Sequence, residues 1–235
     1  MKLALHIPCY INELFYEVAK ATSLIFHKLN IHPTIPKNQT CCGQPFINSG
    51  VLTTLPHRYE EIFSGFDYIV SPSSSCVSTI KSQNLSISNR TYELTQFLVE
   101  VLKLKDIAKN HPPLILHNSC HSMRHLEIAT PSELNKESKN LVKELLGCEI
   151  VEASFDECCG FGGVYSVKEG EMSYFIGLDK LNDLLSNWKY DFTPTIIGVD
   201  MSCLMHLRGI ALKENIDVNF KHISEVVLEV LNETL

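Results

Sequence analysis

Tyr68-Ile69-Val70-Ser71-Pro72-Ser73-Ser74-Ser75-Cys76 begins as a short apolar run and ends, after a serine- and proline-rich loop, on a cysteine. Leu3-Ala4-Leu5-His6-Ile7 likewise runs into Pro8-Cys9, and Thr195-Ile196-Ile197-Gly198-Val199 leads to Cys203. Leu114-Ile115-Leu116 precedes Cys120, and Glu149-Ile150-Val151 precedes Cys158. Short apolar runs bounded by turn residues read as buried strands. His32-Pro33-Thr34-Ile35-Pro36 is a weaker extended segment ahead of Cys41-Cys42-Gly43. Between the first strand and that segment, Leu14, Phe15, Val18, Ala21, Leu24, Ile25 and Leu29 follow helical spacing. Strands alternating with helices predict a parallel sheet covered by helices.

The cysteines divide the chain in two. Eight of the nine form two sets in the order single, adjacent pair, single: Cys9, Cys41-Cys42, Cys76 and Cys120, Cys158-Cys159, Cys203. Each pair is followed by glycine, Gly43 or Gly160. Residues 94–102 and 223–231 resemble one another as short amphipathic helices with Thr95 or Ser224 near the start, and are expected to close their respective halves. His111-Pro112-Pro113 reads as the linker. The expected domains are therefore residues 1–110 and 111–235. If every motif cysteine follows a strand of a parallel sheet, all emerge at its carboxyl edge, where such folds place ligands. Spacings too long for a zinc finger then suit a Rossmann-like unit. Gly43, Gly160, Gly162 and Gly163 permit close approach of the backbone to a bulky group. Gly160-Phe161-Gly162-Gly163 lacks the spacing of a dinucleotide fingerprint.

The 235 residues, 45% hydrophobic and 20% charged, have ordinary globular composition. No apolar run is long enough to span a bilayer, and the N-terminus lacks a secretory pattern. The formal net charge of −7 argues against a sequence-independent grip on nucleic acid. Nine cysteines are too few for a disulfide scaffold of this length. A cytoplasmic protein with reduced thiols is expected, its cysteines serving metal or redox chemistry.

Four thiols per half leave three uses. Structural zinc usually takes closely spaced pairs, and adjacent cysteines are awkward ligands of one tetrahedral ion. Redox disulfides are a second use, although no Cys-x-x-Cys is present. An iron–sulfur cluster is the favoured third, because it takes thiolates and is tuned by burial and hydrogen bonds. All eight motif cysteines are the candidate ligands, and Cys148 is expected in the core. Among His117, His121 and His125, the first choice for a donor or proton partner is His121, beside Cys120. His6 and His206 are assigned to packing or surface.

Cys41-Cys42-Gly43-Gln44-Pro45-Phe46-Ile47-Asn48-Ser49-Gly50, residues 70–76, Ser119-Cys120-His121, residues 158–163 and Cys203-Leu204-Met205 resemble the cysteine-rich, Cys-Cys-Gly domain family of iron–sulfur oxidoreductases typified by heterodisulfide reductase. Within it, the chain is similar to the lactate-utilisation protein A family across nearly its whole length. The resemblance implies two tandem Rossmann-like cysteine-rich domains related by pseudo-two-fold symmetry. It also implies an oxidoreductase component of a bacterial complex that oxidises L-lactate to pyruvate. Two companion subunits are implied, one with ferredoxin-like clusters. In the wider family the motif ends in Cys-x-x-Cys, whereas Ser73 and Asp200 stand at the first of those places here. That departure favours a single cluster per half, of [4Fe–4S] type, or a cluster in one half and zinc in the other. Asp200 is then an oxygen-ligand candidate, and Ser73 a donor to a cluster sulfur. A scaffold that organises partner proteins, with zinc or no metal, and a thiol/disulfide redox subunit are the alternatives.

Overall fold

The computed structural model of the protein describes residues 1–51, 57–131 and 139–234. Two compact units emerge, Met1–Leu104 with Ser224–Leu235, and Lys105–Ile223. Each is a parallel α/β unit.

In the first unit, β1 (Leu3–Leu5), β2 (Tyr68–Ser71) and β3 (Thr91–Glu93) pair in parallel in the order β1-β2-β3. Thr34 forms one parallel bridge to Ala4 on the free edge of β1, so the weak extended segment contributes a bridge rather than a strand. In the second unit, β4 (Leu114–His117), β5 (Ile150–Glu152), β6 (Thr195–Gly198) and β7 (Asn219–His222) are all parallel, in the order β5-β4-β6-β7. With Thr34 standing for β5, both units share one topology. β1 and β4 are buried at every position, which requires cover on both faces. β3 and β7 escaped the sequence reading because Thr91-Tyr92-Glu93 and Asn219-Phe220-Lys221-His222 are polar edge strands without an apolar run.

Three expectations need correction. The first helical stretch is two helices, Cys9–Leu14 and Tyr16–Lys28, broken at Phe15, whose φ of −135° and ψ of 48° are non-helical. Leu14 consequently faces solvent, while Val18, Ala21, Ile25 and Phe26 pack inward. Cys148 is only half-buried. It follows Gly147, the left-handed cap of helix Leu141–Leu146, and so lies beyond the packed face of that helix. The third correction concerns the terminal helix Ile223–Thr234, which groups with the first unit from Ser224 onward. There Ser224 Oγ approaches the Val18 carbonyl at 3.5 Å and Lys28 Nζ donates to the Leu231 carbonyl at 3.4 Å. Its buried Val226, Val227, Val230 and Leu231 supply the apolar stripe. The matching helix, Leu94–Gln96 continued by a π-helical turn Phe97–Val101, stays in that unit too. At the start of the second unit, the N–H groups of Asp106, Ile107 and Ala108 satisfy the last carbonyls of helix Leu141–Leu146. The division therefore falls at 104/105, ahead of the expected linker.

Candidate functional site

Each unit gathers its four motif cysteines where strands give way to helices. In the first, Cys9 opens helix Cys9–Leu14 after β1, and Cys76 lies in the first turn of helix Ser74–Ser82 after β2. In the second, Cys120 opens helix Cys120–Arg124 after β4, and Cys203 lies in the first turn of helix Met201–Lys213 after β6. The single cysteines thus sit in helical first turns, not in the loops expected of them. Only the adjacent pairs Cys41-Cys42 and Cys158-Cys159 are loop residues.

All nine cysteines are free thiols. In the first unit, Cys9 Sγ lies 3.6 Å from Cys41 Sγ, and Cys42 Sγ lies 3.3 Å from Cys76 Sγ. Two sulfurs bound about 2.3 Å from one tetrahedral ion would stand roughly 3.8 Å apart, so these separations suit ligation with little movement. The thiols of Cys42 and Cys9 hydrogen-bond to Cys41, and the Gly43 N–H donates to Cys41 Sγ at 3.4 Å. Together they hold Cys41 far below the usual thiol value. Cys9, donating to Cys41, and Cys42, whose single S–H proton lies between Cys41 and Cys76, are pushed up in turn.

The second unit repeats this electrostatic order. Cys158 is held low by the thiols of Cys120 and Cys159, with the Gly160 N–H donating to its sulfur at 3.4 Å. Cys120 and Cys159 are raised by those same bonds and by burial. In both units the thiol pushed lowest is therefore the first cysteine of the pair. Ligation requires the thiolate form. Gly43 at φ +81° and Gly160 at φ +83° turn the chain so that the N–H points back at the sulfur. The glycines expected to let the backbone approach a bulky group do have positive φ.

The remaining expected residues separate by role. His121 Nδ1 lies 3.8 Å from Cys120 Sγ, where it was expected. Ser73 caps its helix, accepting from the Cys76 N–H at 3.3 Å, so its hydroxyl is engaged in organising the turn that holds Cys76. Asp200 is buried at the matching N-cap position, makes no cap bond, and accepts from Ser202 Oγ at 2.9 Å. His206, assigned to packing or surface, is half-buried with Nε2 3.2 Å from the Ser173 carbonyl oxygen.

His6 and His117 carry the signal that sequence reasoning missed. Leu3-Ala4-Leu5-His6-Ile7-Pro8-Cys9 and Leu114-Ile115-Leu116-His117-Asn118-Ser119-Cys120 place a histidine three residues before the first cysteine of each set. Comparing the two stretches in register would have exposed it. Both imidazoles are fully buried beside the thiol network. Among the described residues, Tyr59 Oη, His6 Nε2 and both ring nitrogens of His117 have no hydrogen-bond partner. Buried polar atoms are rarely orphaned, and those beside clustered thiols mark a place where a bound group completes the shell. Soft sulfur donors and unpaired nitrogens fit a thiophilic metal or an iron–sulfur cluster.

Burial holds both imidazoles down, from 6.5 to about 4, so that they stay neutral. Cys41 faces His6, and Lys180, Cys158, Asp200 and Asp156 face His117. A depressed folded value means that the unfolded chain takes up protons the folded chain refuses. Their contribution to the stability of metal-free protein is therefore complete above pH 6.5 and lost as pH falls toward 4. The expected loss is about 3 kcal/mol per imidazole at about 1.36 kcal/mol per pH unit. Urea midpoints across that range check this. A His6→Gln/His117→Gln variant that keeps the same acid slope would contradict it.

The profile of the cysteine-rich domain family (CCG) matches residues 3–81 and 114–208, one match in each unit. Similar full-length relatives include Lactate utilization protein A 1 of Bacillus mycoides (strain KBAB4), 34% identical over 97% of both chains. Lactate utilization protein A of Oceanobacillus iheyensis is 32% identical over 97% of this chain and 96% of its own. Its namesake in Geobacillus kaustophilus is 32% identical over 97% and 98%. Duplicated Cys-Cys-Gly units and end-to-end similarity agree: this chain belongs to the lactate utilization protein A family, within the cysteine-rich (CCG) domain proteins.

Proposed function

We propose that the protein is the iron–sulfur redox subunit of a complex that oxidises L-lactate to pyruvate in the reducing cytoplasm. One observation carries the reading: each unit assembles four free thiols beside buried orphaned nitrogens. The names of the relatives support the link to lactate. Among the described residues no helix is long and apolar enough to cross a membrane.

Converting L-lactate to pyruvate releases two electrons and two protons, and a thiolate-held iron–sulfur cluster supplies one-electron transfer. Cys9, Cys41, Cys42 and Cys76 would hold one such group, and Cys120, Cys158, Cys159 and Cys203 another. Gly43 and Gly160 donate N–H groups to the sulfurs of Cys41 and Cys158, stabilising their negative charge. Burial of Cys42, Cys76, Cys159 and Cys203 keeps water from the inner sulfurs. The buried, neutral His6 and His117 add no positive charge at neutral pH. Lactate contact and hydride or proton removal fall to the companion subunits, one of which carries ferredoxin-like clusters and accepts or delivers the electrons.

The test combines this chain with its two companion proteins without oxygen and follows L-lactate-dependent dye reduction. Pyruvate should appear only when this chain is present. Undiminished pyruvate formation when it is omitted would overturn the assignment.

A further inference from the structure

The two units treat their buried histidines differently. In the first, His6 Nδ1 lies 3.1 Å from Ser71 Oγ, and Ser71 is the last residue of β2, five before Cys76. In the second, the last residue of β6, five before Cys203, is Gly198, and it pairs in register with His117. The serine clip is therefore missing where His117 needs it, and neither of its ring nitrogens has a partner among the described residues. The nearby buried Lys180 does not fill the role, because it donates to the Phe155 carbonyl and pairs with Asp183 at 3.7 Å.

Two sulfurs stand within reach of it. A ring nitrogen of His117 and the sulfurs of Cys159 and Cys203 lie within 4.8 Å of one another, and all three residues are buried. A neutral imidazole with a free lone pair facing two thiols is the donor arrangement of a mixed nitrogen–sulfur metal site.

We propose that His117 is a nitrogen ligand of the metal centre in the second unit, alongside Cys159 and Cys203. His6, clipped by Ser71, stays outside the donor set of the first unit. The second centre then has a neutral nitrogen donor within reach that the first lacks. The inference rests on the proposed metal-binding role of the thiols, not on the metal being iron.

Cobalt(II) loaded into reduced, metal-free, full-length protein is the probe, read by pulsed EPR after growth on 15N-histidine or unlabelled histidine. A hyperfine coupling from a directly bound imidazole nitrogen is expected. It should persist in His6→Gln and vanish in His117→Gln, with cobalt affinity of the second unit falling about tenfold or more. A Cys41→Ser/Cys42→Ser variant confines cobalt to the second unit, and adding His121→Gln leaves His117 as the candidate beside the sulfurs. The coupling should survive in that background, which keeps the test valid even where His117→Gln does not fold. Four results would each overturn the proposal: no nitrogen coupling in the parent protein, no cobalt in the second unit, coupling retained in folded His117→Gln, or coupling lost with His6 or His121. Protein that never takes up iron and sulfide, yet gives the expected cobalt signals, would defeat the redox reading and support the His117 assignment.

Discussion

Replacing Cys158 and Cys159 together by serine is expected to remove about half of the iron and acid-labile sulfide and to reduce lactate-dependent electron transfer to background. Cys158 is held low by the thiols of Cys120 and Cys159, and Cys159 links it to the buried Cys203. Serine oxygen is a hard, poorly acidic donor and does not replace a thiolate toward iron. The fold should survive, because the core of the second unit rests on apolar residues such as Leu116, Leu181, Ile197 and Leu207 rather than on metal. Placing a hydroxyl at the buried Cys159 position should cost about 1–3 kcal/mol. The counterpart Cys41→Ser/Cys42→Ser should remove the other half. Iron, sulfide and zinc assays with circular dichroism on each variant separate loss of the centre from loss of the fold. Unchanged iron in either double variant would mean that its pair is not a ligand set.

Gly160→Ala is expected to lower the melting temperature by on the order of 10 °C and to impair loading of the second unit. Gly160 holds φ at +83°, and a Cβ there would stand 2.5 Å from the Ser173 carbonyl oxygen and 3.1 Å from the Gly177 nitrogen. Those two obstacles are backbone, and the Ile176 Cβ at 3.0 Å is fixed to it, so none can swing aside. The left-handed conformation alone costs a non-glycine residue roughly 1–2 kcal/mol, and overpacking adds about 1–3 kcal/mol. For a chain of this size each kcal/mol is worth roughly 2–4 °C. The chemistry suffers too, because Gly160 directs its N–H at Cys158 and accepts from Ser173 Oγ at 2.7 Å. That bond fastens the Cys-Cys-Gly loop to helix Gly170–Ser186. Gly209→Ala is the control: its Cβ would meet open space within helix Met201–Lys213, so stability should rise by about 0.5–1 kcal/mol. Calorimetry on both variants checks the pair, and equal melting temperatures would contradict the account of Gly160.

Much of this was legible in the chain. The runs before Cys9, Cys76, Cys120 and Cys203 formed strands because continuous apolar residues need a sheet buried on both faces. The duplication of Cys-Cys-Gly announced two units of one plan. The illegible parts have physical causes. β3 and β7 are edges, where polar residues suffice and no hydrophobic pattern is written. The last helix reads as the end of the second repeat, yet it buries its valine stripe in the first unit. Amphipathicity specifies that a face will be buried, not against which partner. His6 and His117 look incidental one at a time, since a single histidine on an apolar strand is most simply a packed one. Their shared place before the first cysteine marks them, and only the fold shows that Ser71 engages one imidazole while Gly198 leaves the other free.

The central claim is that both units hold iron–sulfur centres on their motif thiols. Iron, acid-labile sulfide and zinc should be measured on protein purified without oxygen, with a visible spectrum before and after reduction. The expected result is brown protein with about four iron and four sulfide per loaded unit and absorbance that bleaches on reduction. Colourless protein carrying zinc alone, or no metal even after reconstitution with iron and sulfide, would contradict it.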